Sequence, residues 1–259
     1  MTFSVDKLIF LGNTPNMSPV NNRLPAANLP EFEKSQDRFV SSNPQKYTSR
    51  AMITKLSNNN YGLNKILKNN SLDTDPNFDD FSTVVLEHSQ KTRDIAEKII
   101  DNLPYSVQIQ IDKKSLLDAA YLHDIGKVYI PHDILMKPDR LSVDETAKMQ
   151  LHADIGYELL KNSGIDRKTL YLIRNHHFNN NKNSFIKKPF KSAEPAVQVL
   201  ELADIYSALT ENRAYKPALS REKALTIINT DVNNGCFDPK IFNALVRATA
   251  EVKVGEKSL

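Results

Sequence analysis

Residues 119–127 read "AAYLHDIGK", a short stretch on which the interpretation of the whole chain depends. Leu116, Ala120 and His123 recur at the spacing of one helix face, so the imidazole of His123 is expected to face inward with the apolar side chains. Asp124 follows at once. Taken alone, an inward histidine is more often a hydrogen-bonded core residue than a metal ligand. The stretch therefore raises the question of which other polar residues share this part of the core.

Apolar residues recur at helical spacing through most of the chain after Asp79. The first such face carries Val84, Val85, His88, Thr92, Ile95, Ile99 and Leu103. Later runs repeat the pattern, and several open with a Ser or Asp that can cap a helix. No run alternates as a β-strand with hairpin residues at its ends. The sequence predicts an all-α fold.

Composition divides the chain into two parts. Residues 1–75 are rich in Asn, Ser and Pro and show little apolar periodicity, which predicts a polar, partly ordered N-terminal extension. Residues 76–259 carry the helical pattern and are expected to form one domain.

The overall charge excludes some classes of partner. The chain has 34 basic and 31 acidic residues, and a net charge of +3 is too small to predict binding to nucleic acid or to an anionic membrane. The one cysteine, Cys236, excludes an internal disulfide and is interpreted as a small structural residue. No apolar run is long enough to span a bilayer or to serve as a signal peptide, so a cytoplasmic location is expected.

Histidines and aspartates are the candidate metal-binding residues of the chain. The six histidines are His88, His123, His132, His152, His176 and His177. Several of them lie on apolar helix faces or at a helix end, where each buried imidazole needs a partner, and one metal centre would satisfy them together. Asp204 adds a carboxylate on a helix with apolar surroundings; the alternative is a helical Asp near the surface.

The order of these residues resembles the metal-binding pattern of the HD phosphohydrolase superfamily, and within it the HD-GYP subfamily. The match extends beyond the ligands, through "LHDIGKVYIPHDILMKPDRLSVDETAKMQLHADIGYELL" and "VLELADIYSALTENRAYKPALSREKALTII". It covers roughly residues 79 to 247. The resemblance implies an HD-domain helical bundle and a metal-dependent phosphodiesterase that hydrolyses a cyclic dinucleotide, with cyclic di-GMP favoured.

The resemblance also implies two divalent metal ions, with iron or manganese favoured, that share a hydroxide. It places His88, His123, Asp124 and Asp204 around one ion, and His152, His176 and His177 with Asp124 around the other. Asp124 would bridge the two ions as a catalytic residue. Some relatives hold a third metal through a Glu one turn before the first histidine, but Val84 stands there, so two metals are expected.

Three basic residues match substrate-contacting positions of the family. Lys127 is expected to direct its ammonium group toward the substrate phosphate and to act in catalysis. Arg213 and Lys216 match positions that contact phosphate or nucleotide. The alternative for Lys127, Arg213 and Lys216 is a solvated residue beyond a helix end. His132 follows "YIP" in an expected loop and is interpreted as a surface residue.

The chain departs from the subfamily after its paired histidines. It continues "HHFNNNKNSFIKKPFKSAEP", with Phe178 where Glu is expected and without the Gly-Tyr-Pro signature. Two alternatives to the cyclic dinucleotide therefore stay open: hydrolysis of another nucleotide or an alarmone, or a catalytically weak module that binds a nucleotide or a protein. The expected partners are a small nucleotide substrate and either a second copy of the chain or a signalling protein.

Overall fold

A computed structural model describes residues 43–177, 193–212 and 217–250. Within those three ranges the regular structure is helical, with no β-strand, so the predicted all-α fold is confirmed. The α-helices there are α1 (Arg50–Ser57), α2 (Tyr61–Asn69), α3 (Phe78–Asp80), α4 (Leu86–Asp101), α5 (Tyr105–Gln108), α6 (Lys113–Leu122), α7 (His132–Leu135), α8 (Val143–Gln150), α9 (His152–Leu160), α10 (Arg167–Asn175), α11 (Pro195–Thr210), α12 (Arg221–Asn233) and α13 (Pro239–Ala248). Two 3-10 helices, Pro44–Thr48 and Ile125–Tyr129, and a π-helical turn, Phe81–Val85, complete the order.

Helices α4, α6 and α11 form the centre of the bundle. Helix α4 packs against α6, α11 and α13, while α10 packs against α6 and α9. Helix α11 is buried on most of its circumference, as expected of a helix that is apolar on nearly every face. Because α4, α6 and α11 are neighbours, the polar residues that they carry are brought to one place.

Polar caps define where many of these helices begin. The carboxylates of Asp112 and Asp166 accept hydrogen bonds from the first turns of α6 and α10. Ser142 and Glu145 form a reciprocal capping box at the start of α8. Capping of this kind satisfies backbone N–H groups that have no partner within the helix, and it fixes the ends of the elements that reach the site.

The run that begins at Ser142 does not form a single helix. Helix α8 ends at Gln150 and α9 begins at His152, with Leu151 between them. The break leaves His152 as the first residue of α9, directly beyond the last turn of α8.

One member of the predicted buried face of α4 lies outside it. Val85 and His88 are 3% and 5% exposed, but Val84 is 40% exposed. Val84 belongs to the π-helical turn that precedes α4, and the wider winding of such a turn changes the direction of its side chains relative to the α-helix that follows.

The described part of the predicted N-terminal extension is helical and packed. Ile53 of α1 and Leu63 and Leu67 of α2 are each no more than 1% exposed and belong to the main core. The Asn60 side chain caps α2 by accepting from the Leu63 N–H, and its amide donates to the backbone oxygen of Glu158 in α9 at 2.8 Å. An asparagine of the segment predicted as a polar, partly ordered extension is thus a helix cap. Residues 1–42 lie outside the described residues, and the domain boundary near residue 75 stays a prediction.

Gly126 allows the 3-10 helix Ile125–Tyr129 to lie against α9. A Cβ atom at residue 126 would collide with the backbone oxygen of His152 and the backbone nitrogen of Gly156. Because neither backbone atom can rotate away, glycine is required for this approach. The contact holds Asp124, two residues earlier, close to the first turn of α9.

Two further sequence expectations can be compared with the described residues. Cys236 is buried and is not part of a disulfide, in keeping with a structural role. Among the helices of residues 43–177, 193–212 and 217–250, none has the length and apolar character needed to cross a membrane.

Truncation of Leu63 tests whether α2 belongs to the core. We expect Leu63→Ala to lower the free energy of unfolding by about 2–5 kcal/mol, because it removes a buried side chain and leaves a cavity. Tyr61→Ala is the matched control on the same helix, since Tyr61 is 80% exposed and should change stability by less than about 0.5 kcal/mol. Urea unfolding measures both, and equal midpoints for the two variants would contradict the packing.

Substitution of Gly126 tests the contact with α9. We expect Gly126→Ala to destabilise the protein by about 1–3 kcal/mol, because backbone must move to admit the new methyl group. Gly156→Ala is the control at the same contact: its Cβ would meet the Ile125 Cγ2 methyl at 3.2 Å, a side-chain atom that can shift. Thermal unfolding should show the larger loss for Gly126→Ala, and the reverse order would refute this account.

Candidate metal centre

All seven residues that the sequence nominated as metal ligands converge at one place. Five helices place them: His88 lies within α4, His123 and Asp124 at the end of α6, His152 at the start of α9, His176 and His177 at the end of α10, and Asp204 within α11. Their donor atoms form three clusters with every atom within 4.8 Å of the others in its cluster. These are His152 with His176 and His177, His88 with His123 and Asp124, and His123 with His176 and Asp204.

Asp124 lies between two of these clusters, and its two oxygens face different histidines. Oδ1 is 3.3 Å from Nε2 of His152. Oδ2 is 3.3 Å from Nε2 of His123 and 3.8 Å from Nε2 of His88. A carboxylate in this position can contact two centres at once, one through each oxygen.

Asp204 faces the same side of the site as His88 and His123. Its Oδ1 is 2.8 Å from Nε2 of His88 and 3.7 Å from Nε2 of His123. Val197, Leu200, Ala208 and Leu209 of the same helix are buried, which confirms the apolar surroundings expected for this carboxylate. The Asp204 side chain itself keeps 15% of its exposure, so the site has one side open to solvent.

Three histidines are oriented by the backbone at the end of the helix that precedes them. Nδ1 of His123, His152 and His176 lies 2.8, 2.6 and 2.6 Å from the carbonyl oxygens of Ala120, Met149 and Ile173, respectively. Each of these carbonyls belongs to the last turn of a helix, where carbonyl groups lack a partner within the helix. Since a carbonyl oxygen only accepts, each Nδ1 carries a proton and each Nε2 points into the site.

This orientation brings two imidazole lone pairs together. Nε2 of His152 is 3.1 Å from Nε2 of His176 and 3.1 Å from Nε2 of His177. With the proton of a neutral ring on Nδ1, His152 and His176 both present an unprotonated Nε2, and two facing acceptors repel each other. A cation between these nitrogens removes the repulsion, so the group fits a metal ion.

Unsatisfied buried atoms point to the same conclusion. Nε2 of His123 and Oδ1 of Asp124 are buried and have no hydrogen-bond partner within the part of the chain that the structure describes. Buried polar atoms are rarely left unpaired, because the loss of hydration costs free energy. Both atoms face the centre of the site, and a set of imidazole nitrogens and carboxylate oxygens suits a first-row divalent ion.

Protonation states differ between the two halves of the site. Burial lowers the pKa of His152 to about 3 and of His177 to about 4, and it also places the pKa of His176 well below its ordinary value. These three rings are therefore neutral at pH 7, which is the form that binds metal.

The other half is dominated by carboxylates. Burial alone would lower the pKa of His123, but the charges of Asp124 and Asp204 outweigh it and raise this pKa to about 10. Burial is likewise outweighed at His88, whose pKa is raised by Asp204 and Glu211. The pKa values of Asp124 and Asp204 lie well below the usual range, because their cationic neighbours outweigh burial. This half therefore holds protons that a bound cation would replace.

Of the three residues predicted to contact the substrate, Lys127 is within the described part of the chain. Nζ of Lys127 lies 2.5 Å from Oδ2 of Asp124, and its side chain is 20% exposed, so it is at the site with one face toward solvent. Arg213 and Lys216 lie outside the described residues, as do Phe178 and the lysines that follow it. His132 begins α7 instead of lying in a loop; it is 69% exposed and its Nδ1 contacts Oδ2 of Asp80, away from the three clusters.

One residue at the site was missed from the sequence. Glu211 follows α11 directly, and its carboxylate contacts Nδ1 of His88. Asp204, Ser207 and Glu211 are spaced at i, i+3 and i+7, which places them on one helix face. This spacing is the signal that could have identified Glu211.

A comparison with known protein families matches the region that carries this site. A family model described as "HD domain" matches residues 85–209, which include all seven converging residues.

Several curated proteins are similar to this chain. The cyclic di-GMP phosphodiesterase response regulator RpfG of Xanthomonas campestris is 34% identical over 139 residues, which are 52% of this chain and 36% of that protein. A 3'3'-cGAMP-specific phosphodiesterase of Vibrio cholerae is 28% identical over 168 residues, 64% of this chain and 38% of that protein. A cyclic di-GMP phosphodiesterase of Pseudomonas aeruginosa is 30% identical over 142 residues, 53% of this chain and 33% of that protein.

The chain thus spans 33–38% of the length of these three relatives. The residues that the family model matches include the clustered histidines and aspartates. The family model thus assigns an HD domain to residues 85–209 of this chain.

Proposed function

We propose that the protein is a metal-dependent phosphodiesterase of the HD-GYP type that hydrolyses a cyclic dinucleotide, with cyclic di-GMP as the favoured substrate. The observation that carries the proposal is the position of Asp124, whose two oxygens face His152 on one side and His88 and His123 on the other. Similarity to phosphodiesterases named for cyclic di-GMP and 3'3'-cGAMP supports the substrate class.

Two divalent ions, iron or manganese, are proposed to occupy the site. His88, His123, Asp124 and Asp204 would hold one ion, and His152, His176, His177 and Asp124 would hold the other. When bound, such ions activate water as a nucleophile and neutralise the charge of the phosphate. Val84, an apolar residue where some relatives have a ligand, supports two ions over three.

The chain's own residues then prepare the reaction. The backbone bonds to Nδ1 of His123, His152 and His176 fix the ring orientations before any ion binds, so little reorganisation is needed. Burial of these rings keeps bulk water away and strengthens every charge interaction in the site. The exposed edge near Asp204 leaves a direction from which a substrate can approach.

Lys127 is proposed to bind the substrate phosphate. Its ammonium group now neutralises Asp124, a role that a bound cation would take over. The freed ammonium group would then donate to a phosphate oxygen beside the site. Arg213 and Lys216 are proposed as further contacts on the basis of the family pattern alone.

Which cyclic dinucleotide is the substrate is a separate question from the substrate class. The relatives are named for two members of this class, and this chain lacks the Gly-Tyr-Pro signature after its paired histidines. Cyclic di-GMP and 3'3'-cGAMP therefore need to be compared directly. A cytoplasmic location, a homodimer and a signalling protein partner stay predictions.

Replacement of Asp124 tests the bridging role. We expect Asp124→Asn to lower hydrolysis of cyclic di-GMP by at least about 100-fold, because the amide lacks the charge that offsets two cations. Bound manganese should fall from two ions per chain to one or none. The measurement combines elemental analysis of protein purified without oxygen with chromatography of the linear product.

Asp144→Asn is the matched control, since Asp144 is an exposed carboxylate in the first turn of α8. It should keep both ions and full activity. If wild-type protein with two bound ions leaves cyclic di-GMP and 3'3'-cGAMP intact but cleaves another nucleotide, the substrate class is wrong. Equal activity of Asp124→Asn and wild type would refute the site.

Replacement of Lys127 separates substrate binding from metal binding. We expect Lys127→Ala to lower kcat/KM by about 10- to 150-fold, the effect of losing one hydrogen bond to a charged group, while the metal content is unchanged. Lys98→Ala, at an exposed position of α4, serves as the control. Loss of metal in Lys127→Ala, or unchanged kcat/KM, would count against the assigned role.

A further inference from the structure

Glu211 is the carboxylate closest to the outer nitrogen of His88. Its Oε2 and Oε1 lie 3.1 and 3.2 Å from Nδ1 of His88. Ser207 donates from its hydroxyl to Oε1 at 2.5 Å, which fixes the carboxylate against α11. The Glu211 side chain is only 10% exposed, so the contact is largely shielded from water.

His88 needs such a partner because of its place in the fold. His123, His152 and His176 each lie beyond the last turn of a helix and donate to a carbonyl oxygen there. His88 is the third residue of the sixteen-residue helix α4, and the π-helical turn that precedes α4 continues the helical backbone. The carbonyl groups around it accept hydrogen bonds within the helix, so an acceptor for Nδ1 has to come from another part of the fold.

The opposite nitrogen of the same ring faces the site. Nε2 of His88 is 2.8 Å from Oδ1 of Asp204 and 3.8 Å from Oδ2 of Asp124. His88 thus lies between two carboxylates, Asp204 of α11 at Nε2 and Glu211, directly after α11, at Nδ1. A carboxylate oxygen only accepts, so Nε2 donates to Asp204; a cation bound there would replace that proton, while Nδ1 would go on donating to Glu211.

We propose that Glu211 is a positioning residue that holds the proton of His88 on Nδ1 and so keeps Nε2 available as a metal ligand. The inference rests on the proposed metal site and deepens it. Glu211 does for His88 what three helix-end carbonyls do for His123, His152 and His176. Partners of this kind commonly contribute about 10- to 100-fold to metal affinity.

The test measures manganese binding to metal-free protein by competition with a chromophoric chelator. We expect Glu211→Ala to weaken one of the two binding steps by about 10- to 100-fold. Glu211→Gln should lose less, because its amide oxygen can still accept from Nδ1. Glu194→Gln, at the exposed start of the same helix, should bind manganese as wild type does.

A second readout separates positioning from a direct role in hydrolysis. Because Glu211 contacts His88 at Nδ1, the nitrogen opposite the one that faces Asp204 and Asp124, activity of Glu211→Gln on cyclic di-GMP should return to within a few-fold of wild type at saturating manganese. Manganese affinities equal to wild type in both Glu211 variants would overturn the inference, even with an active wild-type enzyme. If manganese affinity falls as expected but no cyclic dinucleotide is hydrolysed by wild type, the inference stands and the proposed substrate fails.

Discussion

The buried carboxylate of Asp124 is the group around which the site is arranged. Asp124 is 1% exposed, and removal of an ionised carboxylate from water costs several kcal/mol unless nearby positive charge offsets it. Four cationic or imidazole side chains surround it, those of His88, His123, Lys127 and His152. The backbone contact between Gly126 and α9 supports this arrangement, because it brings His152 close to the Asp124 carboxylate.

Three of the site's histidines occupy the same kind of position in the fold, directly after the last turn of a helix. A helix that ends leaves carbonyl groups without partners, and His123, His152 and His176 satisfy one such carbonyl each through Nδ1. The same bond that completes the helix end aims Nε2 inward. His88 lies inside a helix instead, which explains why its outer nitrogen meets Glu211.

The sequence predicted most of this arrangement, because both the helical period and the histidine and aspartate spacing can be recognised locally. It missed features that depend on backbone winding or on a distant partner. Val84 does not lie on the predicted buried face, because it belongs to the π-helical turn before α4. The periodicity of apolar residues does not predict such a turn. Asn60 lies in the segment predicted as a polar, partly ordered extension, although it caps α2 and contacts α9. Glu211 gained its role only through contact with α4, more than a hundred residues earlier in the chain.

The helix ends at the site also set its electrostatic potential. Helices α6 and α10 both terminate there, at His123 and His176, and the carboxyl end of a helix carries roughly half a unit of negative charge. These partial charges add to those of Asp124 and Asp204. The positive charges of His123 and Lys127 offset this negative charge, and a bound cation would do so in their place. The helix ends that orient the imidazoles therefore also favour positive charge at the centre of the site.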